Sequence, residues 1–168
     1  MKLSKWLGIK KGQMEETIWS PLSGKVLKLA DVPDPVFSSM PPECGIAIDP
    51  AAGRVLSPID GEVVAMLPSK HAVVIRSDSG VELIIHIGLD TVSMKGEGFH
   101  AFVRNGDRVT AGQPLIDFSP DLVMRKATST ITPVFIMNPE VVDWLDIQIP
   151  DLAQAGITPL MKFRLKRY

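Results

Sequence analysis

Cysteine is almost absent from this chain. Cys44 stands alone among 168 residues. No intrachain disulfide can form, so a disulfide-framed secreted module is excluded and a reducing compartment is favoured. Long apolar runs are also missing. Nothing approaches the roughly 18 consecutive apolar residues of a membrane-spanning helix, which argues against an integral membrane protein. No excess of one charge exists either: 18 basic residues face 19 acidic ones, for a formal net charge of −1. Histidine is scarce, with His71, His86 and His100 making up the three, and no H-E-x-x-H pattern joins any two of them, which disfavours a metallopeptidase.

What remains is ordinary globular material, 45% hydrophobic and 22% charged, of a length that suits one domain with its own core and excludes disorder. The charge is nevertheless unevenly placed. Every acid lies between Glu15 and Asp151, whereas Lys2, Lys5, Lys10 and Lys11 open the chain and Lys162, Arg164, Lys166 and Arg167 close it. An acidic body with short basic ends lacks the basic stripe of a nucleic-acid footprint, so no nucleic-acid partner is expected. Residues 1–14 read as a flexible, basic, amphipathic tail ahead of a single domain at 15–168. The tail has no secretory cleavage pattern. Two readings stay open for it: a frayed terminus, or a weak anchor for anionic lipid with Trp6 at the interface, which would place the protein in the cytoplasm near the inner face of the membrane.

The body breaks into short strand-like runs at 17–19, 24–29, 45–49, 53–56, 61–67, 71–76, 81–89, 99–103, 114–118 and 134–136, punctuated by Gly, Pro, Asp and Ser. That spacing predicts an all-β fold, a compact antiparallel sandwich or barrel with a few short helical turns. Two helices are predicted where Ser119-Pro120 and Asn138-Pro139 offer a cap followed by proline at the first helical position. The run Met161-Lys-Phe-Arg-Leu-Lys166 alternates apolar and basic residues and predicts a half-buried edge strand. An internal repeat, Trp19-Ser-Pro-Leu-Ser-Gly-Lys-Val26 against Leu56-Ser-Pro-Ile-Asp-Gly-Glu-Val63, predicts two similar hairpin-like elements.

The most informative segment is Lys70-His-Ala-Val-Val-Ile-Arg-Ser-Asp-Ser-Gly-Val-Glu-Leu-Ile-Ile-His-Ile-Gly-Leu89, two β-rich runs around a polar turn. A turn centred between Asp78 and Ser79 pairs Arg76 with Val81, Val74 with Leu83 and His71 with His86, whose Cβ atoms would stand about 5 Å apart. Alternation then puts Ala72 and Val74 on a core face with Val81, Leu83, Ile85 and Ile87. His71, Val73 and Ile75 fall on the other face, with Glu82, Ile84 and His86. Three readings of the histidine pair are open. It can be a hydrogen-bonded structural pair. It can be two ligands of a Zn²⁺ site completed by a carboxylate such as Asp90 or Glu82. Or it can be a nucleophile with its helper, one neutral imidazole accepting a phosphoryl group while the other donates to its oxygens.

The stretch Gly80-Val-Glu-Leu83, His86-Ile-Gly-Leu-Asp-Thr-Val92 and Lys95-Gly-Glu-Gly-Phe99 resembles the signature of the glucose-class enzyme IIA of the bacterial phosphoenolpyruvate:sugar phosphotransferase system. The similarity extends through Pro21-Leu-Ser-Gly24, Asp31-Val-Pro-Asp-Pro-Val-Phe37, Gly45-Ile-Ala-Ile-Asp-Pro50, Pro58-Ile-Asp-Gly61 and Thr132-Pro-Val134. The resemblance implies a phosphotransferase component and phosphoryl carrier. His86 would be phosphorylated on Nε2 by the phosphocarrier protein HPr, and His71 would stabilise the phosphoryl group. Ser69 would support His71 through its hydroxyl, and Asp90 would be the carboxylate near the active histidine. The phosphoryl group would pass to the IIB domain of a sugar permease. Val36, Phe37, Val73, Ile84 and Phe99 would form the apolar docking rim. No cofactor is needed for the transfer. In some relatives His71 and His86 would share a Zn²⁺ with a carboxylate of a regulated partner, such as a permease or glycerol kinase. The chain departs from the family at Pro41-Pro-Glu-Cys-Gly45, which borders the docking face. Cys44 there is read as a space-filling residue.

Rival functions are a purely regulatory docking module and a biotin- or lipoyl-type carrier using Lys95. The residues beside Met94-Lys95, Ser93 and Gly96, do not fit the latter.

Overall fold

Strands this short bury apolar surface on both faces only if sheets stack on one another. The computed structural model, which describes residues 15–167, does this. The chain forms β1 (Glu16–Trp19), β2 (Gly24–Lys28), helix α1 (Pro35–Ser38), β3 (Gly45–Pro50), β4 (Arg54–Leu56), β5 (Gly61–Met66), β6 (Ala72–Ser77) and β7 (Glu82–His86). It continues with β8 (Phe99–Ala101), β9 (Arg108–Val109), β10 (Pro114–Phe118), helix α2 (Pro120–Lys126), β11 (Thr132–Ile136), β12 (Val142–Ile147), β13 (Leu152–Ala153) and β14 (Pro159–Leu165). An eight-stranded sheet of order β13-β2-β3-β11-β7-β6-β5-β9 is joined by two three-stranded sheets, β4-β10-β8 and β1-β14-β12. Every pairing is antiparallel. This is the predicted antiparallel β-sandwich. The expectations for residues 1–14 lie outside the described residues.

The repeat seen in the sequence is the visible part of an internal two-fold correspondence. The two turns are hydrogen-bonded to each other reciprocally: Trp19 N–H donates to the Pro58 carbonyl, and Leu56 N–H to the Pro21 carbonyl, both at 2.9 Å. Inside each turn a fully buried serine closes the bend, Ser20 onto the Leu22 carbonyl at 2.6 Å and Ser57 onto the Ile59 carbonyl at 2.8 Å. Their backbones continue the pattern. Gly156 N–H donates to Ser20 and Gly112 N–H to Ser57, each at 2.8 Å. Gly24 and Gly61 are required by close approach, since a Cβ there would lie 2.0 Å from the Asp49 carbonyl oxygen and 2.1 Å from that of Arg76. The order of the large sheet is the same read from either end once β13, β2, β3 and β11 are matched to β9, β5, β6 and β7.

Two apolar layers result. The main core includes Val73, Ile75, Leu83, Ile85, Val134 and Phe163. A smaller one, under α1, holds Leu29, Val32, Phe37, Cys44, Ala47, Leu89 and Phe135. Helix α2 forms where Ser119 and Pro120 predicted it, with the serine side chain accepting from Leu122 N–H. The second predicted helix does not form. Pro139–Val141 make one 3₁₀ turn and Val142–Ile147 run on as β12, because pairing with β14 satisfies its backbone and tertiary pairing overrides the local cap signal. The C-terminal strand alternates as expected but is the centre of its sheet, not an edge. Helix α1 and β12 were not anticipated from the sequence.

Candidate functional site

The hairpin of β6 and β7 positions both histidines, with a register one residue away from the predicted one. Ser77 N–H donates to the Val81 carbonyl at 2.8 Å, and Gly80 has φ of 106°. The Ser77 hydroxyl accepts from Val81 N–H at 3.0 Å. The reversal is therefore a three-residue loop, Asp78 to Gly80, with glycine supplying the positive φ. Arg76 pairs with Glu82, Val74 with Ile84, and Ala72, not His71, with His86. A slip of one residue exchanges faces. Val73 and Ile75 therefore join the main core, while Ala72 and Val74 share the side of Ile84 and His86.

The imidazoles meet nonetheless. Strand β6 begins only at Ala72, and Lys70 takes a left-handed backbone at φ 58°, so His71 is released from the strict alternation of the strand. Its carbonyl accepts from Ile87 N–H at 2.7 Å. The two rings lie edge to face with centroids 5.2 Å apart. His71 is 5% exposed, whereas His86 is half-buried.

His86 Nδ1 lies 2.9 Å from the Gly88 carbonyl oxygen. A carbonyl can only accept, so Nδ1 carries the proton and Nε2 is left with a free lone pair. Burial pushes the His86 pKa below the usual histidine value, against the opposing pull of the Gly88 bond and the Asp34 charge. His71 is lowered too, first by burial and then by His86. Both rings are therefore neutral near pH 7, the form in which an imidazole is a nucleophile.

The other predicted residues fall out unevenly. Asp90, at φ 64°, is exposed. Its carboxylate accepts from Thr128 at 3.2 Å and makes no hydrogen bond to His86. The carboxylate whose charge reaches His86 is Asp34, which the sequence reading missed. It caps α1 by accepting from Val36 N–H at 2.9 Å. Ser69 makes no hydrogen bond to His71, whose Nδ1 is buried without a partner. Of the five expected rim residues, Val36 is 68% exposed and Ile84 is half-buried. Val73 and Phe99 are buried in the main core, Phe99 stacking on Phe118. Phe37 is 7% exposed, its ring 5.1 Å from that of His86. Val92, 57% exposed just past Asp90, is apolar surface that was not foreseen. His100 lies on β8 opposite Asp117 and is not part of the cluster. Among the described residues no group of three or more His, Cys, Asp or Glu side chains stands together to hold a metal ion. The two histidines would need a third ligand from elsewhere.

A neutral imidazole with a free Nε2 lone pair can accept a phosphoryl group. Residues 16–142 match the model of the family described as phosphoenolpyruvate-dependent sugar phosphotransferase system, EIIA 1. The chain belongs to that family. It is 45% identical over 152 residues to the PTS system glucose-specific EIIA component of Halalkalibacterium halodurans, covering 90% of this chain and 88% of that one. It is 44% identical over 162 residues to the Bacillus cereus protein of the same name, covering 96% and 98%. The glucose permease IIA from Mycoplasma capricolum has the same fold, with a TM-score of 0.82 at 31% identity over 89% of this chain and 96% of that one. The protein is thus a phosphoryl-carrying component of the sugar phosphotransferase system, and its family partners are HPr and the IIB domain of a permease. No helix among the described residues is long and apolar enough to cross a membrane.

Proposed function

We propose that His86 is the phosphoryl acceptor and that His71 steadies the acceptor's load. The Nε2 lone pair attacks the phosphorus carried by phospho-HPr. An N–P bond forms at His86 as the bond from phosphorus to HPr breaks, and that electron pair stays with HPr. In the second half-reaction a nucleophile on the IIB domain attacks the same phosphorus and the Nε2–P bond breaks. The observation that carries this reading is the Gly88 carbonyl held 2.9 Å from Nδ1, which directs the proton to one nitrogen and the chemistry to the other. His71, close enough for an N–H to reach phosphoryl oxygens, would offset their charge. The apolar layer behind them would slow hydrolysis of the N–P bond.

The glucose-specific names of the relatives support a glucose-type permease as the receiver. Asp34 and Asp90, on opposite sides of His86 in sequence, would meet basic groups of HPr, and Val36 and Ile84 would meet its apolar ones. Ser69 would turn its hydroxyl to His71 once a phosphoryl group is bound. The domain spans residues 15–168, working at the cytoplasmic end of a permease, with the basic tail ahead of it drawn to anionic lipid. The unphosphorylated form would also dock on regulated permeases or glycerol kinase, because a phosphoryl charge placed in an apolar interface drives partners apart. A Zn²⁺ on His71 and His86 would form there with a carboxylate supplied by the partner. Transfer from ³²P-labelled phospho-HPr tests the central claim. The wild type takes label and His86→Ala takes none; label on His86→Ala would move the acceptor elsewhere.

A further inference from the structure

We propose that Phe37 is a positioning residue for His86, not a docking residue, an inference that rests on His86 being the acceptor. Helix α1 is one turn long, started by the Asp34 cap and Pro35 and closed by Ser39 onto the Pro35 carbonyl. Its two central residues point in opposite directions. Val36 is exposed, while Phe37 is buried in the layer of Leu29, Val32, Ala47 and Leu89. A partner that docks on α1 touches Val36.

The Phe37 ring is wedged between His86 at 5.1 Å and Phe135 at 6.2 Å, tilted by 56° and 58°. The internal two-fold explains the wedge. Gly45 opposite Phe135 occupies the place in one half that Ala72 opposite His86 occupies in the other. Phe37 thus lies across the pseudo-axis, with an inert aromatic ring on one side and the reactive one on the other.

The hydrogen bond to Gly88 pins a single atom of the imidazole and leaves the ring free to rock about it. His71 supports one side at 5.2 Å, and Phe37 supports another. Phosphoryl transfer needs the Nε2 lone pair in line with phosphorus, and a displacement of about 1 Å can cost on the order of 100-fold in rate. A flat ring packed tilted against the imidazole supplies both restraint and shelter from water.

The test is single-turnover transfer from phospho-HPr to the full chain, comparing wild type with Phe37→Leu and Phe37→Met, which keep the layer apolar and filled. For both we expect the transfer rate at saturating phospho-HPr to fall about tenfold. The half-saturating concentration should stay within about twofold, and the phosphohistidine should hydrolyse several-fold faster. Val36→Ala, at the docking surface, should instead act through a raised half-saturating concentration. Nitrogen NMR should find Nδ1 of His86 protonated in the wild type and in both Phe37 variants, since Gly88 holds the tautomer, with the His86 ring signals broadened only in the variants. Wild-type limiting rates and hydrolysis in both Phe37 variants would overturn the proposal, as would a change confined to half-saturation, which would return Phe37 to docking. Label retained by His86→Ala would instead overturn the acceptor assignment.

Discussion

Replacing His71 by alanine separates the two halves of the phosphoryl cycle. The side chain is 5% exposed with Nδ1 unpartnered, so removing it relieves a buried unsatisfied atom while opening a small cavity, and the fold should tolerate the change. In the unphosphorylated protein the His71 ring Nδ1 has no hydrogen-bond partner, and the His86 tautomer is held by Gly88. Acceptance therefore survives. In the phosphorylated protein, an imidazole with its centroid 5.2 Å from that of the proposed acceptor would donate one hydrogen bond to a charged oxygen. Such a bond contributes about 1.5–3 kcal/mol, a factor of roughly 10 to 150 in an equilibrium constant. The assay is transfer of ³²P from phospho-HPr, read at equilibrium, and then onward to the IIB domain. His71→Ala should take label and hold it with an equilibrium constant lowered by that factor. Onward transfer should be impaired, because a developing charge on the phosphoryl group meets no donor. His71→Gln, which keeps a donor, should recover part of the loss. Wild-type equilibrium and onward rate in His71→Ala would refute the role, and complete loss of labelling there with label retained in His86→Ala would make His71 the acceptor.

Because burial lowers both histidines, the proposed acceptor should lose activity to protonation only below the ordinary histidine value of about 6.5. The half-drop of the acceptance rate should fall below about pH 6.5, and a half-drop at or above that value would count against a depressed nucleophile. The same shifts govern stability. The unfolded chain takes up protons below about 6.5 while the folded one resists, so the stabilisation is full above that pH and is lost as pH falls toward the folded values. Denaturant titrations at pH 8 and pH 5 should show it. Ser20→Ala and Ser57→Ala each strip a buried carbonyl of its partner and should each cost about 1–3 kcal/mol, by similar amounts if the two halves are equivalent; markedly unequal losses in urea unfolding would argue against that. Burial raises the Cys44 thiol, so alkylation at pH 8 should be slow in the native protein and rapid in denaturant.

Much of the architecture could be read without coordinates because its causes are local. Gly, Pro and Asp spacing cut the chain into strands, and the Ser119-Pro120 cap started a helix. The repeated Ser-Pro-x-x-Gly turn announced two matching units. The two histidines were legible as a pair because a hairpin is a short-range structure. What went wrong was also informative. The turn was one residue longer than assumed, since Gly80 and the Ser77 hydroxyl favour a three-residue loop, and that exchanged the faces of Val73 and Val74. The rings still met because His71 lies just before the start of its strand. Val73 and Phe99 were expected at the surface, but apolar character alone does not distinguish a rim from a core. The cap signal at Asn138-Pro139 yielded to pairing with a strand more than twenty residues away.

By itself, then, the chain's order of residues determined the strand menu, the hairpin and the meeting of the two histidines. Tertiary structure alone decided which nitrogen of His86 is free, that Asp34 and not Asp90 lends it charge, and that Phe37 turns inward. Each of those depends on groups brought together from separate elements, and such contacts have no periodicity for a sequence to display.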